Sequence, residues 1–263
     1  MSTPRDLIRP VGNRVRGQRA VTDSLVAVGR EVTACRLCPR LVRYREAVAR
    51  EKKREFRSET YWGRGVPGFG DPQARLVVIG LAPAAHGSNR TGRVFTGDRS
   101  AAFLVRAFYS AGFANQPTSL HRGDGLHYRD LYLTAAVRCA PPENRPSPEE
   151  LGRCLPFLER ELILLGNARS ILALGGFAWD ASRRAAARIY GSEVPRTPFA
   201  HGAVATLGPG KPMLYASYHP SPQNTHTRKL TQEMLVDLLE QIRGSWASGS
   251  EARGRAKPGG KAA

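Results

Sequence analysis

The sequence has few cysteines and no long apolar segment. Only four of its 263 residues are cysteine, and no apolar run reaches the roughly 18 residues of a membrane-spanning helix. The first residues also lack the charged and then apolar pattern of a secretory signal, which favours a cytoplasmic protein. In that compartment paired cysteines bind metal more often than they form disulfides. We therefore expect the cysteines to hold a metal.

Two nucleotide-binding motifs are also missing. Residues 80–98, GLAPAAHGSNRTGRVFTGD, follow an apolar strand and are rich in small residues. The segment has no Lys-Ser or Lys-Thr after its last glycine, as a P-loop requires, and it does not fit GxGxxG. These absences argue against a nucleotide-binding α/β enzyme of another class.

Acidic residues are scarce relative to basic ones. The chain has 40 Lys and Arg against 22 Asp and Glu, a formal net charge of +18 and a pI of about 10.7. Such an excess favours a polyanionic partner, and nucleic acid is the first candidate. The alternative is a solvated surface in an arginine-rich proteome.

The ends of the chain differ in composition from its middle. Residues 1–20 and 247–263 are basic and poor in apolar residues, and we predict that both are disordered arms. Residues 21–246 remain as one folded domain, which is a normal size for a single core.

Apolar strands alternate with helices along this domain. Strands are predicted at 75–81, 131–137, 170–174 and 213–217, and helices at 21–34, 100–112, 148–165, 176–190 and 227–243, with Ser100 as an N-cap. This alternation predicts an α/β fold with a parallel sheet covered on both faces. Ligands bind such sheets at the carboxyl ends of the strands, which points to the loops at 81–98, 138–147 and 218–226.

The cysteines form two widely separated groups. Cys35 and Cys38 make a C-x-x-C pair, whereas Cys139 and Cys154 lie far along the chain in the second half-site, which we expect in loop structure. The spacing predicts one four-thiolate site that folding closes. The residues alone fit a structural zinc and an iron–sulfur cluster equally well.

Five strings, in this order, resemble the uracil-DNA glycosylase superfamily, and most closely its family 5, the type-b enzymes with an iron–sulfur cluster. Together they span residues 31–243. The strings are Cys35-x-x-Cys38; Gly80-Leu-Ala-Pro-Ala84 with Thr91-Gly-Arg-Val-Phe95-Thr-Gly-Asp98; Arg138-Cys139-Ala-Pro-Pro-Glu-Asn144-Arg145; Cys154; and His219-Pro-Ser-Pro-Gln-Asn224.

The resemblance implies a three-layer α/β/α sandwich around a four-stranded parallel sheet. It implies a nucleoid-associated enzyme that removes uracil, and other deaminated bases such as hypoxanthine, from double-stranded DNA. We expect a monomer, because the sequence offers no coiled coil and no sticky apolar helix face. The four cysteines would then hold a 4Fe–4S cluster, with zinc as the less favoured occupant. The rival interpretation is a non-catalytic nucleic-acid-binding module clamped by zinc.

The chemistry of base excision assigns roles to the residues of these loops. Bond cleavage builds negative charge on the base and positive charge on the sugar. We expect His219 to donate a hydrogen bond to the base, and Asp98, with Asn89 as second candidate, to position water or stabilise the sugar cation. The expected base-binding residues are Gly80, Ala82, Phe95 and Asn224. The alternatives are an N-cap for Asp98, core packing for Phe95 and a structural role for His219.

Other segments carry weaker expectations. Residues 134–136 lack the amide that reads uracil in related families, which predicts a broader range of bases. The basic stretch 40–57 is expected to flank the DNA groove, and residues 220–224 to enter the minor groove. The insert at 121–130, with His121 and His127, is expected at the surface, and His201 is expected to have a structural role more often than a functional one.

Overall fold

The computed structural model describes residues 23–191, 194 and 197–253. The predicted arm at 1–20 and residues 254–263 of the predicted tail lie outside this range. The helices of the described chain are α1 Leu25–Ala34, α2 Pro39–Glu51, α3 Ser88–Thr91, α4 Arg99–Ser110, α5 Pro148–Leu164, α6 Gly176–Tyr190, α7 Pro222–His226 and α8 Gln232–Arg253. The strands are β1 Phe69–Gly70, β2 Leu76–Gly80, β3 Leu131–Ala135, β4 Ser170–Leu174, β5 Val204–Thr206 and β6 Met213–Ser217.

The strands form one sheet in the order β1-β3-β2-β4-β6-β5. The four central strands are parallel, as predicted, and the short edge strands β1 and β5 run antiparallel to their neighbours. The sequence did not reveal the edge strands, because they have only two and three residues and no apolar pattern. Within the described part of the chain, no helix is both long and apolar enough to span a membrane.

The central strands are apolar along their whole length because both faces of the sheet are covered. Val77 and Ile79 of β2 point into a core shared with α5 and α6. Leu76 and Val78 point the opposite way, into a second core shared with α4 and α8. The expected three-layer α/β/α arrangement is thus confirmed, with a buried core on each side of the sheet.

Several helix ends differ from the predicted ones. Helix α4 begins one residue earlier than expected because Asp98, not Ser100, is its N-cap and accepts a hydrogen bond from the amide of Ala101 at 2.9 Å. Helix α1 begins only at Leu25, after its N-cap Ser24. The predicted helix at 227–243 corresponds to α8, which begins five residues later, at Gln232, and continues to Arg253, into the segment predicted as a disordered tail; the short α7 before it was not predicted.

A buried ion pair joins the sheet to α5. Arg138, just beyond β3, donates two hydrogen bonds to Glu161 of α5, at 3.0 and 2.5 Å. The hydroxyl of Thr134 on β3 donates to the same carboxylate at 2.6 Å. Both charged side chains are almost completely buried, so each depends on the other for its countercharge.

Replacing Glu161 with alanine will leave Arg138 buried without a carboxylate. Breaking one partner out of a buried ion pair costs about 3–5 kcal/mol, and we expect a loss of that size in the free energy of unfolding measured by denaturant titration. Glu159→Ala on the same helix is the control, because Glu159 pairs with the exposed Arg188 and such pairs contribute about 0–1 kcal/mol. Equal losses in the two variants would contradict this account.

Candidate functional site

The carboxyl ends of the central strands lie along the same side of the sheet, which is called the carboxyl edge below. Gly80 at the end of β2 pairs with Ala135 at the end of β3, and Leu174 of β4 pairs with Ser217 of β6. The loops that follow β2, β3 and β6 therefore leave the sheet side by side. These are the loops that the sequence pattern indicated, and they hold most of the candidate site residues.

Phe95 and His219 meet at this edge. Their ring centroids are 6.3 Å apart, with the planes inclined at 37°. The Phe95 ring lies against Gly80, where an added Cβ would come within 2.7 Å of the ring. Phe95 itself has a left-handed backbone, with φ of 46°. A non-glycine residue held in that conformation is typical of functional loops.

His219 is neutral over the physiological pH range. Burial lowers the pKa of its imidazole to about 4, because a charged ring loses its hydration there. The side-chain amide of Asn224 donates to the main-chain oxygen of His219 at 2.8 Å. Asn224 therefore fixes the loop that presents the histidine, and its amide nitrogen is occupied within that loop.

The two carboxylate oxygens of Asp98 have different surroundings. Its Oδ1 caps α4, so the alternative role considered for this residue is confirmed. Its Oδ2 packs against Gly87, where an added Cβ would lie only 1.9 Å away. Burial raises the pKa of the carboxyl above 3.8, although hydrogen bonds from the amides of Ala101 and Ser100 oppose the rise.

Asn89 and Ala82 lie below the surface of the same loop. Asn89 is fully buried, and its side-chain amide donates to the main-chain oxygens of Arg45 at 3.2 Å and of Ala85 at 3.4 Å. Ala82 is half-buried against the core on the α5 and α6 side of the sheet. The amide nitrogen of Asn89 thus braces the loop, whereas its side-chain oxygen is buried without a hydrogen-bond partner among the described residues.

The four cysteines line one cavity beside this edge, together with Leu41, Val137 and Phe157. All four are free thiols. Cys154 lies within α5, as the helix predicted at 148–165 requires, so the loop structure expected for the second half-site is found only at Cys139. Burial raises the pKa of Cys139 to about 11 and that of Cys154 to about 12. Among the described residues, no group of three or more His, Cys, Asp or Glu side chains is arranged to hold a single metal ion.

Comparison with known proteins agrees with the strings in the sequence. A family model described as the uracil DNA glycosylase superfamily matches residues 67–243. The chain belongs to this superfamily. Its relatives among the type-5 uracil-DNA glycosylases cover most of the chain, so the resemblance to family 5 is confirmed.

Three of these relatives show the extent of the match. The type-5 uracil-DNA glycosylase of Thermus thermophilus is 53% identical over 212 residues, which cover 81% of this chain and 94% of that protein. The one from Mycobacterium tuberculosis is 48% identical over 213 residues, or 81% and 78% of the two chains. The one from Pyrobaculum aerophilum is 47% identical over 207 residues, or 79% and 87%.

The insert at 121–130 of this superfamily member contributes a buried acidic side chain, Asp124. Asp124 accepts two hydrogen bonds from Arg93, at 2.8 and 2.7 Å, and both side chains are buried. Burial alone would raise the pKa of Asp124, but Arg93 and the amides of Leu120 and Leu126 together hold it well below its usual range. The surface prediction is therefore wrong for Asp124, and no local pattern marks it, because its partner is 31 residues away.

The same group of residues holds Phe95 in place. Arg93 also donates to Thr96 and to Ser119, and Ser119 donates to the main-chain oxygen of Phe95 at 3.0 Å. The left-handed backbone of Phe95 is thus fixed by hydrogen bonds from outside its own loop. These supporting residues were missed in the sequence, since each looks like an ordinary polar loop residue.

Three other histidines lie outside the loops at 80–98 and 218–226. His201 stacks near Tyr218, with 5.4 Å between ring centroids, and accepts a hydrogen bond from the Tyr218 amide at 3.4 Å. This supports the structural role for His201. His121 and His127 are exposed, as predicted.

The basic stretch 40–57 divides between the interior and the surface. Arg45 is buried, and Arg40 pairs with Glu150 of α5. Arg50 lines a groove of about 1140 Å³ along the edge strand β1. Trp62 and four more arginines also line this groove: Arg30, Arg36, Arg64 and Arg122. The basic surface therefore continues along the β1 edge of the sheet.

Proposed function

We propose that this protein is a uracil-DNA glycosylase of base excision repair, which flips a uracil nucleotide out of DNA and hydrolyses its N-glycosidic bond to leave an abasic site. The observation that carries the proposal is the pairing of Phe95 with His219 above Gly80, at the carboxyl edge of the sheet. The match to the family model, over residues 67–243, includes all three residues, and the relatives described above bear the name of type-5 uracil-DNA glycosylases.

The substrate is double-stranded DNA, and the protein acts on it at the nucleoid as a monomer. Extruding a nucleotide costs a few kcal/mol of stacking and pairing, least at a mismatch such as U·G. Phosphate contacts to a basic surface recover that cost. The arginine-lined groove along β1 and the exposed part of 40–57 supply such a surface. Residues 220–224, where Ser221 caps α7, support the flipped state from the minor groove.

Phe95 and His219 act on the base. The Phe95 ring stacks on the flipped base, and the absence of a side chain at Gly80 leaves room for the ring at the end of β2. His219, neutral because of its burial, donates an N–H to a base oxygen and stabilises the negative charge of the leaving base. Asn224 positions His219 through its main-chain oxygen.

Asp98 acts on the sugar side. With Oδ1 fixed by the start of α4, the carboxylate has one defined orientation. Oδ2 is then placed to hold the attacking water or to stabilise the developing positive charge of the sugar. Asn89, buried in the same loop, holds the backbone of Arg45 through its amide nitrogen.

The four cysteines hold a 4Fe–4S cluster, in preference to zinc. Their thiols surround one cavity, and two of the sulfurs have donors in place: Arg45 to Cys139 at 2.8 Å and the amide of Arg138 to Cys154 at 3.2 Å. Such donors stabilise thiolate ligands. The bound cluster supplies a structural tie between α1, α2, the loop after β3 and α5. Replacing one cysteine with serine therefore impairs folding before it impairs chemistry.

Incubating the protein with a uracil-containing duplex, followed by alkali, will break the strand at the uracil. The matched thymine duplex will stay intact. His219→Ala will lower the excision rate by about 10²–10³-fold, the usual loss when one donor to a developing anion is removed. Uncleaved uracil duplex after treatment with folded wild-type protein would reject the proposed activity.

Excision will slow on the acid side as Asp98 takes up a proton. Because burial raises the pKa of this carboxyl above 3.8, the active carboxylate is lost as the pH falls through that raised value. Asp98→Asn keeps a residue that caps helices equally well but removes the charge. We expect it to fold normally, to lose about 10²–10⁴-fold in rate and to lose the acid limb of the pH profile.

Asp98→Ala is the companion variant, because it removes the cap as well. It should lose about 1 kcal/mol of stability beyond Asp98→Asn, with the same loss of rate. An Asp98→Asn protein with the wild-type rate and pH profile would leave the carboxylate with the capping role alone.

The range of bases will be broader than uracil. At the end of β3, Thr134 is bound to Glu161 and Ala135 and Ala136 are buried, so no side-chain amide there reads the base edge. Without that reader, discrimination between bases weakens. We expect measurable release of hypoxanthine from DNA in parallel single-turnover assays, with none of thymine from a T·A pair. Strict specificity for uracil would contradict this expectation.

A further inference from the structure

Four arginines of the described chain are almost fully buried, and one of them differs from the rest. Arg90, Arg93 and Arg138 each pair with a carboxylate: Glu59, Asp124 and Glu161, respectively. Arg45, which is only 1% exposed, has no carboxylate within ion-pair distance in the part of the chain that the structure describes. A buried guanidinium without a counterion is strongly unfavourable.

The partners of Arg45 belong to the cysteine site. One terminal nitrogen donates to the sulfur of Cys139 at 2.8 Å, and the other donates to the main-chain oxygen of Cys35 at 2.9 Å. The guanidinium thus spans both half-sites. Thiolate ligands of a bound cluster would provide the negative charge that its surroundings otherwise lack.

The main chain of Arg45 contacts the loop at 80–98, which is called the catalytic loop below. Its carbonyl oxygen accepts the side-chain amide of Asn89 at 3.2 Å, and the main-chain oxygen of Asn89 in turn accepts the amide of Gly63 at 3.0 Å. Asn89 is fully buried in α3, between Phe95 and Gly80 along the loop at 80–98. One residue therefore touches the cysteine site with its side chain and the catalytic loop with its backbone.

We propose that Arg45 is a positioning residue that couples the cysteine site to the catalytic loop, with its guanidinium raising the reduction potential of the bound cluster and its carbonyl oxygen holding Asn89. The inference rests on the proposed function and cofactor. Hydrogen bonds to cluster sulfurs and nearby positive charge both favour the reduced state of a cluster, which is the physical basis of the expected potential.

The test compares variants of the full-length, iron-loaded protein. Arg45→Met keeps an apolar side chain but removes charge and donors, so we expect a more negative potential in a visible-absorbance redox titration. We also expect about 10-fold slower single-turnover excision of uracil, the lower range for residues that support a metal site. Asn89→Ala should slow excision similarly and leave the potential unchanged.

Two further variants separate the effect of the hydrogen bonds on the reduction potential from the effect of positive charge, and also from a failure to fold. Arg43→Met removes the same charge from the exposed face of α2 and should shift the potential much less than Arg45→Met. Arg45→Lys keeps the charge and one donor and should recover most of the potential. If Arg45→Met does not fold with its cluster, Arg45→Lys gives the same two measurements with smaller changes.

The outcomes distinguish this inference from the proposals on which it rests. Wild-type protein that contains no iron and acid-labile sulfide, or that excises no uracil, overturns the proposed cofactor or function together with this coupling. An iron-loaded, active wild type overturns the coupling alone if Arg45→Met has the wild-type potential, or if Asn89→Ala excises uracil at the wild-type rate.

Discussion

The register of the four parallel strands, which aligns their carboxyl ends, is the constraint on which the site depends. Gly80 is opposite Ala135, and Leu174 is opposite Ser217, so the loops after these strands start from one line. A slip of one residue in any strand would move each of its apolar side chains into the core on the opposite face, where the packing does not fit it. The cores on both sides of the sheet therefore fix the register, and the register places Phe95 beside His219. Stability and the geometry of the site share one cause.

Buried arginines join the loops that leave the sheet to neighbouring segments of the chain. Arg138 joins the loop after β3 to α5, Arg93 joins the catalytic loop to the insert, and Arg90 joins α3 to the segment before β1. Each removes a cation from solvent and gives it a partner distant in sequence. Each of these ion pairs is neutral, so their burial leaves the formal net charge of +18 unchanged and lowers only the number of arginines at the surface. The arginines that remain exposed along β1 and α2 form the basic surface proposed above to contact DNA.

The sequence predicts those features that depend on local patterns. The central strands are apolar along their length, the helices have regular periodicity, and the cysteines and the glycine-rich loop stand out by residue type. The edge strands, the partner of Arg93 and the burial of Arg45 could not be predicted, because each depends on a contact between distant segments. Asp98 shows the limit clearly: its sequence position fits an N-cap and a catalytic carboxylate equally, and the fold allows both.

The capping role of Asp98 and the catalytic role proposed for it are physically compatible. A carboxylate that only capped a helix would gain nothing from burial, since burial raises its pKa and weakens its negative charge. A carboxylate that only served chemistry would need another group to fix its orientation. Here the first turn of α4 binds one oxygen, and Gly87 makes room for the other. The preceding residues are held by Ser119 in a backbone conformation that Phe95 alone would avoid. The strain of this loop is thus supported by contacts from outside it, and Phe95 and Asp98, the two groups proposed to act on the base and the sugar, each have a fixed orientation.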